Sequence, residues 1–325
     1  MLNYIIRRIL YALPILVGVN LITFTLFFVV NTPDDMARMQ LGIKRVTPEA
    51  IAKWKQERGY DQPLMFNNAR EGLEKVTRTI FFEKSVAMFA FRFGRADDGR
   101  DIASEIRTRM LPSLAMALPV FVLGLIVYIT FALTMVFFRA TYVDFWGVVL
   151  CVALMSISSL FYIIGGQFLI SKLWHLVPIS GYGQGLDSVK FLVLPVIIGV
   201  ISAAGANTRW YRTLFLEEMG KDYVRTARAK GLPESAVLFR HVLQNALIPI
   251  LTGAVVIIPL LFLGSLIVES FFGIPGLGSY TIDAINSQDF AVVRVMVFLG
   301  SLLYIVGLIL TDISYTLVDP RIRLE

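Results

Sequence analysis

The sequence predicts an all-α integral membrane protein with six transmembrane helices and a polar region between the first two. Three observations predict it. Apolar residues make up 56% of the 325 residues and charged ones 17%, where a soluble domain runs nearer half apolar and about a quarter charged. The mean hydropathy of +0.70 gathers into runs long enough to cross a bilayer, which takes about 20 helical residues. Lys and Arg are also shared unequally among the loops between those runs, as they are in membrane proteins.

The first run is 9–30, preceded by Arg7 and Arg8. A signal peptide and a retained helix are the two readings. The run is longer than a signal's apolar region, and Asn31-Thr32-Pro33 offers no small-residue cleavage site. A retained helix is expected, with the Arg pair as its cytoplasmic anchor.

Residues 31–110 differ in kind, because charged residues recur from Asp34 to Lys75. Segments 48–58 and 69–82 read as short amphipathic helices. The Phe-rich stretch (Phe81, Phe82, Phe89, Phe91, Phe93) suits either a small buried core, the favoured reading, or a membrane-facing surface. Five further spans are expected at 111–138, 145–170, 189–206, 246–270 and 291–318. Several hold Gly or Pro, which neighbouring helices tolerate in a bundle. The organisation is thus 1–30, a tail and first helix; 31–110, an extracytoplasmic region; and 111–325, a five-helix core with a loop at 207–245.

Six spans put both termini on one side. The 207–245 loop carries Arg209, Arg212, Lys221, Arg225, Arg228, Lys230 and Arg240, and the C-terminal tail carries Arg321 and Arg323, whereas 271–290 has no Lys or Arg. Positive charge marks the cytoplasmic side, so both termini and this loop are placed there. The 31–110 region then faces outward, as loops beyond about 60 residues translocate largely regardless of charge.

Several function classes are disfavoured. The single Cys151 allows no disulfide within the chain. His175 and His241 stand apart in sequence, so no metal or acid–base site is evident. No G-x-x-x-x-G-K-[ST] phosphate loop is present. The net charge of +6 is what cytoplasmic Lys and Arg would give, without nucleic acid. No catalytic residue and no cofactor of the chain's own is expected.

The most informative stretch runs from Asp222 to Pro249. It reads helix, break, helix: 214–230 has good helix formers, Gly231 suits a left-handed cap, and Pro233 suits the first turn of the next helix. Ala227, Ala229 and Gly231 present little bulk, so a partner surface could approach, with Arg and Lys pairing to acids on it. The residues alone equally allow a basic hairpin lying on anionic lipid.

Asp222-Tyr-Val-Arg-Thr-Ala-Arg-Ala-Lys-Gly-Leu232, followed by Gln244-Asn-Ala-Leu-Ile-Pro249, resembles the cytoplasmic EAA loop of ABC importer permeases. It is most similar to the form in the dipeptide, oligopeptide and nickel permease family. Arg225-Thr226-Ala227 stands where the general pattern has Glu-Ala-Ala, as in the peptide subfamily, and Gln244 replaces a residue often basic there. The opening at 4–20, Val177-Pro-Ile-Ser-Gly-Tyr-Gly183, Val268-Glu-Ser-Phe-Phe-Gly-Ile-Pro-Gly-Leu-Gly278 and Leu317-Val-Asp-Pro-Arg-Ile-Arg323 are similar too. The resemblance covers about 4–30 and 94–325 and is weakest over 31–93 and in the third span.

The resemblance implies a type I ABC importer permease fold in a bacterial inner membrane. It implies a second homologous permease completing the pathway, two ATP-binding cassette ATPase subunits holding ATP and Mg, and an extracytoplasmic substrate-binding protein. The coupling residues it implies are Asp222, Tyr223, Arg225, Thr226, Ala227, Arg228, Ala229, Lys230 and Gly231. Arg225, Ala227 and Gly231 are expected on the docking surface, with Arg228 and Lys230 as charged flanks. Peptides are the expected solute, with nickel complexes or another small solute as the alternative.

Asp312 matches an acidic position of the family within the last span, where a structural or assembly role is favoured over substrate contact. Glu269 and Arg294 are expected at membrane interfaces. No pocket is readable in the spans. An ion-coupled secondary transporter would call for paired intramembrane charges and inverted repeats, and a membrane-embedded enzyme for clustered His, Asp or Glu. The sequence offers neither pattern.

Overall fold

The computed structural model describes residues 2–42, 46–183 and 185–318. In chain order the α-helices of seven residues or more are α1 (Leu2–Phe24), α2 (Pro33–Leu41), α3 (Pro48–Arg58), α4 (Ile102–Phe137), α5 (Tyr142–Ser156), α6 (Ser159–Gly166), α7 (Ser188–Met219), α8 (Asp222–Ala229), α9 (Gln244–Leu260), α10 (Leu266–Phe272), α11 (Leu277–Asn286) and α12 (Phe290–Val318). Among the described residues the only extended pairing is one bridge between Arg95 and Asp101. Lys44, Arg45, Arg321 and Arg323 lie outside the described residues, as does the motif at Leu317–Arg323 from residue 319 onward.

Five helical stretches are long and apolar enough to cross a membrane: Ile6–Val30, Ile102–Phe137, Gly185–Met219, Glu234–Leu263 and Phe290–Ser314. The straight helix expected at 145–170 does not form. In its place stands a pair of helices, Tyr142–Ser156 and Ser159–Leu173, bent by 88°, which reaches the length and apolarity of a sixth span only when its two halves are taken together. The break falls at Ile157, which is extended (φ −92°, ψ 127°). Two serines flank this β-branched residue, and the Ser156 hydroxyl donates back to the Val152 carbonyl at 2.8 Å, a bond that competes with the helix. The Tyr162 phenol then donates to the Leu154 carbonyl at 2.8 Å, satisfying a group the break sets free.

Two compact units form. The first gathers α1–α3, the chain up to Arg109, and Tyr280–Ile309. In it, Thr32 caps α2: its side chain accepts from the Asp35 N–H while the Asp35 carboxylate accepts from the Thr32 N–H. Thr47 and Pro48 open α3, and Gly59 closes it in a left-handed conformation at φ +66°. These ends fold α2 and α3 over Phe24, Phe28, Met36, Ile51, Trp54, Tyr60 and Ile80.

Of the Phe-rich stretch, Phe81 packs edge-on against Phe24 (5.0 Å) and Phe89 against Phe298 (5.3 Å), while Phe82 and Phe91 are exposed. The helix expected at 69–82 does not form; only Glu74–Thr77 is α-helical. Asn67 takes the backbone instead, accepting from the Ala69 N–H at 3.1 Å and donating to the Arg78 carbonyl at 3.1 Å. Gly72 turns left-handed at φ +61°.

The second unit runs from Met110 to Ser279, with the end of α12 from Leu310. Its main cluster joins Tyr128 and Val136 of α4, Tyr211 and Phe215 of α7, Val224 and Ala227 of α8, and Val242 and Ile250 beyond. Arg212 of α7 grips Asp144 of α5 with two bonds, 2.9 and 2.8 Å. Gly205 of α7 lies so close to the Cys151 carbonyl that a Cβ there would overlap it, the close approach that small residues allow. The fifth span ends at Leu263 rather than 270, because Gly264 turns left-handed (φ 68°) and α10 starts afresh.

Candidate docking loop and intramembrane cavity

The helix expected over 214–230 is two helices. α7 ends at Met219, and Gly220 and Lys221 intervene before α8 starts. Lys221 takes the extended conformation of an N-cap (φ −74°, ψ 153°), so α8 leaves α7 in a new direction. Gly231 stands at φ +77°, as its expected cap role requires. Pro233 sits one residue earlier than expected, as the extended residue before Glu234.

The α8 face is sharply divided. Val224 (0% exposed) and Ala227 (4%) point into the unit's own core. Asp222, Tyr223, Arg225, Thr226, Arg228, Ala229, Lys230 and Gly231 are exposed. Of the three residues expected on a docking surface, Arg225 and Gly231 are therefore outward and Ala227 is not. Its small side chain seats α8 on the core and is also among the residues that line the groove beside α8. Arg225 is 74% exposed and pairs with Asp222 at 3.4 Å.

Two bonds fix the ends of the loop. The Tyr223 phenol donates to Glu218, and burial together with that carboxylate pushes its pKa up. Arg228 reaches across the turn to Glu234 through Nε at 3.1 Å and Nη2 at 2.5 Å. Arg228, expected as a charged flank, thus also braces the elbow around Gly231. Beside α8 lies a groove of about 400 Å³, lined in part by Tyr223, Thr226, Lys230, Arg240 and His241, with no acid among its residues. An acidic group on a docked surface fits its charge.

The spans hold a pocket that the sequence did not make readable. A cavity of about 560 Å³ opens among α4, α6, α7, α9 and the Gly264 turn. Its walls are apolar, relieved by Ser159, Ser202, Asn207, Trp210 and the Tyr128 and Tyr211 phenols, and none of its lining residues is charged. Residues 3.6 positions apart on amphipathic helices would have announced such a wall, but helices that are apolar all round conceal which stripe faces inward. Asp312 is half-buried on α12 and outside that lining.

Glu269, expected at an interface, is fully buried (0% exposed). Its Oε1 accepts from the Ser265 N–H at 3.2 Å and its Oε2 from the Ser279 N–H at 3.1 Å. The Gly278 backbone and the Ser113 hydroxyl lie against the same carboxylate, and Ser113 Oγ accepts from the Leu277 N–H at 2.7 Å. A Cβ at Gly264, Gly276 or Gly278 would overlap this carboxylate or its donors. Arg294, also expected at an interface, is 3% exposed in the first unit. Its guanidinium lies 4.5 Å over the Phe28 ring.

Comparison with known proteins agrees with this architecture. A family described as binding-protein-dependent transport system inner membrane component matches residues 107–324. A second, described as the N-terminal part of binding-protein-dependent transport system membrane components, matches 1–90. The likeness therefore extends over the 31–110 region as far as residue 90, where sequence motifs alone were weakest. A putative peptide transport system permease protein of Brucella abortus (strain 2308) is 31% identical, covering 99% of both chains. A di/tripeptide transport system permease protein of Pseudomonas aeruginosa (strain UCBPP-PA14) is 32% identical over 99% of both. A glutathione transport system permease protein of Salmonella typhimurium (strain LT2) is 29% identical, again over 99% of both.

Proposed function

We propose, from the premise that this chain belongs to the family of binding-protein-dependent transport system inner membrane components, that it forms half of the pathway of an ATP-driven peptide importer. The observation that carries the reading is the placement of α8. Its inner face (Val224, Ala227) shares one packed cluster with Tyr128, Tyr211 and Phe215, while its outer face carries Arg225 into solvent. Tyr128 and Tyr211 also line the cavity. A separate ATPase that grips Arg225 and the basic groove would therefore move cavity walls when it closes on ATP. Cores are close-packed, so such a displacement is transmitted rather than absorbed.

In this reading a second permease of the same kind closes the cavity's open side, and an extracytoplasmic binding protein delivers the solute. Both termini and the α8 loop are cytoplasmic, in a bacterial inner membrane. The uncharged cavity walls suit passage. A zwitterion meets hydroxyls and amides there but no ion partner, so it is not trapped, and selection falls to the binding protein. The relatives' names, peptide and di/tripeptide among them, make peptides the solute of choice.

The test is reconstitution of the chain with its neighbouring ATPase, permease and binding protein in liposomes. ATP-dependent uptake of a labelled dipeptide is expected, and Arg225→Glu is expected to abolish it while leaving the purified chain as stable as wild type. Uptake that continues with an inactive ATPase would overturn the reading.

A further inference from the structure

The first unit contains a polar pocket of about 420 Å³, within the range of small-molecule sites. Five cations line it: Arg58, Lys84, Arg92, Arg95 and Arg294. Three carboxylates do so as well: Glu57, Glu83 and Asp97. They are not equally available. Asp97 is held by Arg58 Nε at 2.9 Å and by the Gln40 amide. Asp289, beside Arg294, accepts from the Asp97 N–H at 2.7 Å and the Val292 N–H at 3.1 Å.

Lys84 is the telling residue. Among the described residues it makes no ion pair. Its Nζ stands 5.4 Å from the centre of the Tyr60 ring, and the Arg294 charge acts on the same Tyr60 side chain. Two cations thus converge on one buried tyrosine. Burial, then the Arg294 charge, hold the Lys84 ammonium below its usual range, with Glu83 opposing. A Cβ on Gly59 would lie 3.5 Å from Lys84 Nζ and 4.0 Å from Glu83 Oε2, so the lysine and glutamate heads share one wall.

We propose that this pocket binds a zwitterionic peptide on the outward side, with its terminal carboxylate among Lys84, Arg92 and Arg95 and its ammonium against Glu83 and Glu57. The outward placement and the ligand class rest on the peptide-import reading; the paired arrangement of cations and acids does not. A lone anion or a lipid phosphate would use the cations and leave the acids idle. A zwitterion uses both.

The test is saturation-transfer NMR of alanyl-alanine with the full chain in nanodiscs. Saturable binding is expected, weakened about tenfold or more by Lys84→Met, since a charge-assisted bond is lost. The Arg92→Gln/Arg95→Gln pair, at exposed positions, is expected to act in the same direction. Alanyl-alanine amide, lacking the carboxylate, is expected to bind no better to wild type than the free acid binds to Lys84→Met. Unchanged binding in both variants would overturn the proposal, as would equal binding of the amide or full displacement by inorganic phosphate. Uptake by the reconstituted transporter is read separately. If uptake fails while binding and its variant pattern persist, the import reading falls and the site stands.

Discussion

Glu269→Gln is the sharpest perturbation this structure offers, because it changes one atom of a side chain that is 0% exposed. Each carboxylate oxygen has its own backbone donor: Ser265 N–H at 3.2 Å for Oε1 and Ser279 N–H at 3.1 Å for Oε2. Glutamine has one acceptor oxygen and one NH₂. Whichever way the amide turns, an NH₂ must face the backbone N–H of Ser265 or of Ser279 in place of an acceptor. One charge-assisted bond becomes a donor–donor contact and the other is weakened. Hydrogen bonds to charged groups contribute about 1.5–3 kcal/mol each, and an unsatisfied buried group costs about 1–3 kcal/mol. A loss of roughly 3–5 kcal/mol follows, as for a buried network broken at one partner. At about 2–4 °C per kcal/mol for a unit of this size, the midpoint should fall by on the order of 10 °C. The chain reports on itself, since Cys151 is its single cysteine and is buried in the same unit. A thiol-reactive dye followed during heating of the detergent-solubilised chain reads the unfolding of that unit. Glu269→Asp, one methylene shorter, should fall between the two. If Glu269→Gln melts within about 1 °C of wild type, the cage is not what holds the Gly264–Ser279 turn together.

Three further outcomes follow from the same geometry. Arg225→Glu should change stability by less than about 0.5 kcal/mol, as exposed substitutions do, yet abolish ATP-driven uptake; a matched loss of melting temperature would place Arg225 in folding rather than docking. Asp144→Asn should destabilise the second unit by about 2–4 kcal/mol by leaving the Arg212 guanidinium half-paired, and Asp144→Leu/Arg212→Met should recover part of that loss in the same thermal assay. Gly231→Ala places a Cβ in open space but at φ +77°, so it should cost about 1 kcal/mol through backbone strain alone; a much larger loss would mean that the elbow is tightly packed.

The approximate positions of the five long membrane helices were readable because a bilayer demands long apolar runs, and these admit few alternatives. What interrupts the runs was not. Ile157 between two serines, Lys221 after Gly220, and Gly264 in an apolar stretch are common residues in unremarkable settings. At Ile157 a neighbour supports the break, as the Tyr162 phenol donates to the freed Leu154 carbonyl, while Lys221 and Gly264 close local turns onto the Glu218 and Leu261 carbonyls. The same limit applies to the buried charges. Glu269 and Arg294 sit near the ends of apolar runs, which places them at an interface on hydropathy alone. Their partners are far away in sequence: Ser113 for Glu269, and Phe28 and Tyr60 for Arg294. One signal was present, in Gly264, Gly276 and Gly278 gathered around a single acid, since glycines cluster where backbones must approach a side chain. The exposed residues of α8 were legible from their motif, whereas the inward turn of Ala227 depended on the core beneath it.

That inward turn alters how force would pass through the proposed machine. If the small residues of α8 served the approach of a partner, the helix would ride on the ATPase and be tied to the membrane helices only by its ends. Instead Val224 and Ala227 are locked into a cluster with Tyr211 and Phe215 of α7. α7 is one continuous helix from Ser188 to Met219, and it carries Pro195, Gly199, Ser202 and Asn207 along the cavity wall. In the proposed machine a push on α8 would therefore reach the cavity through packed side chains and a continuous helix, not through the two-residue hinge at Gly220 and Lys221. The hinge would set the angle at which α8 meets its partner, and the cluster would carry the load. Loosening the hinge should then leave coupling largely intact, whereas enlarging the cluster's contacts into a void, as Val224→Ala would, should let ATP be hydrolysed with less solute moved per cycle.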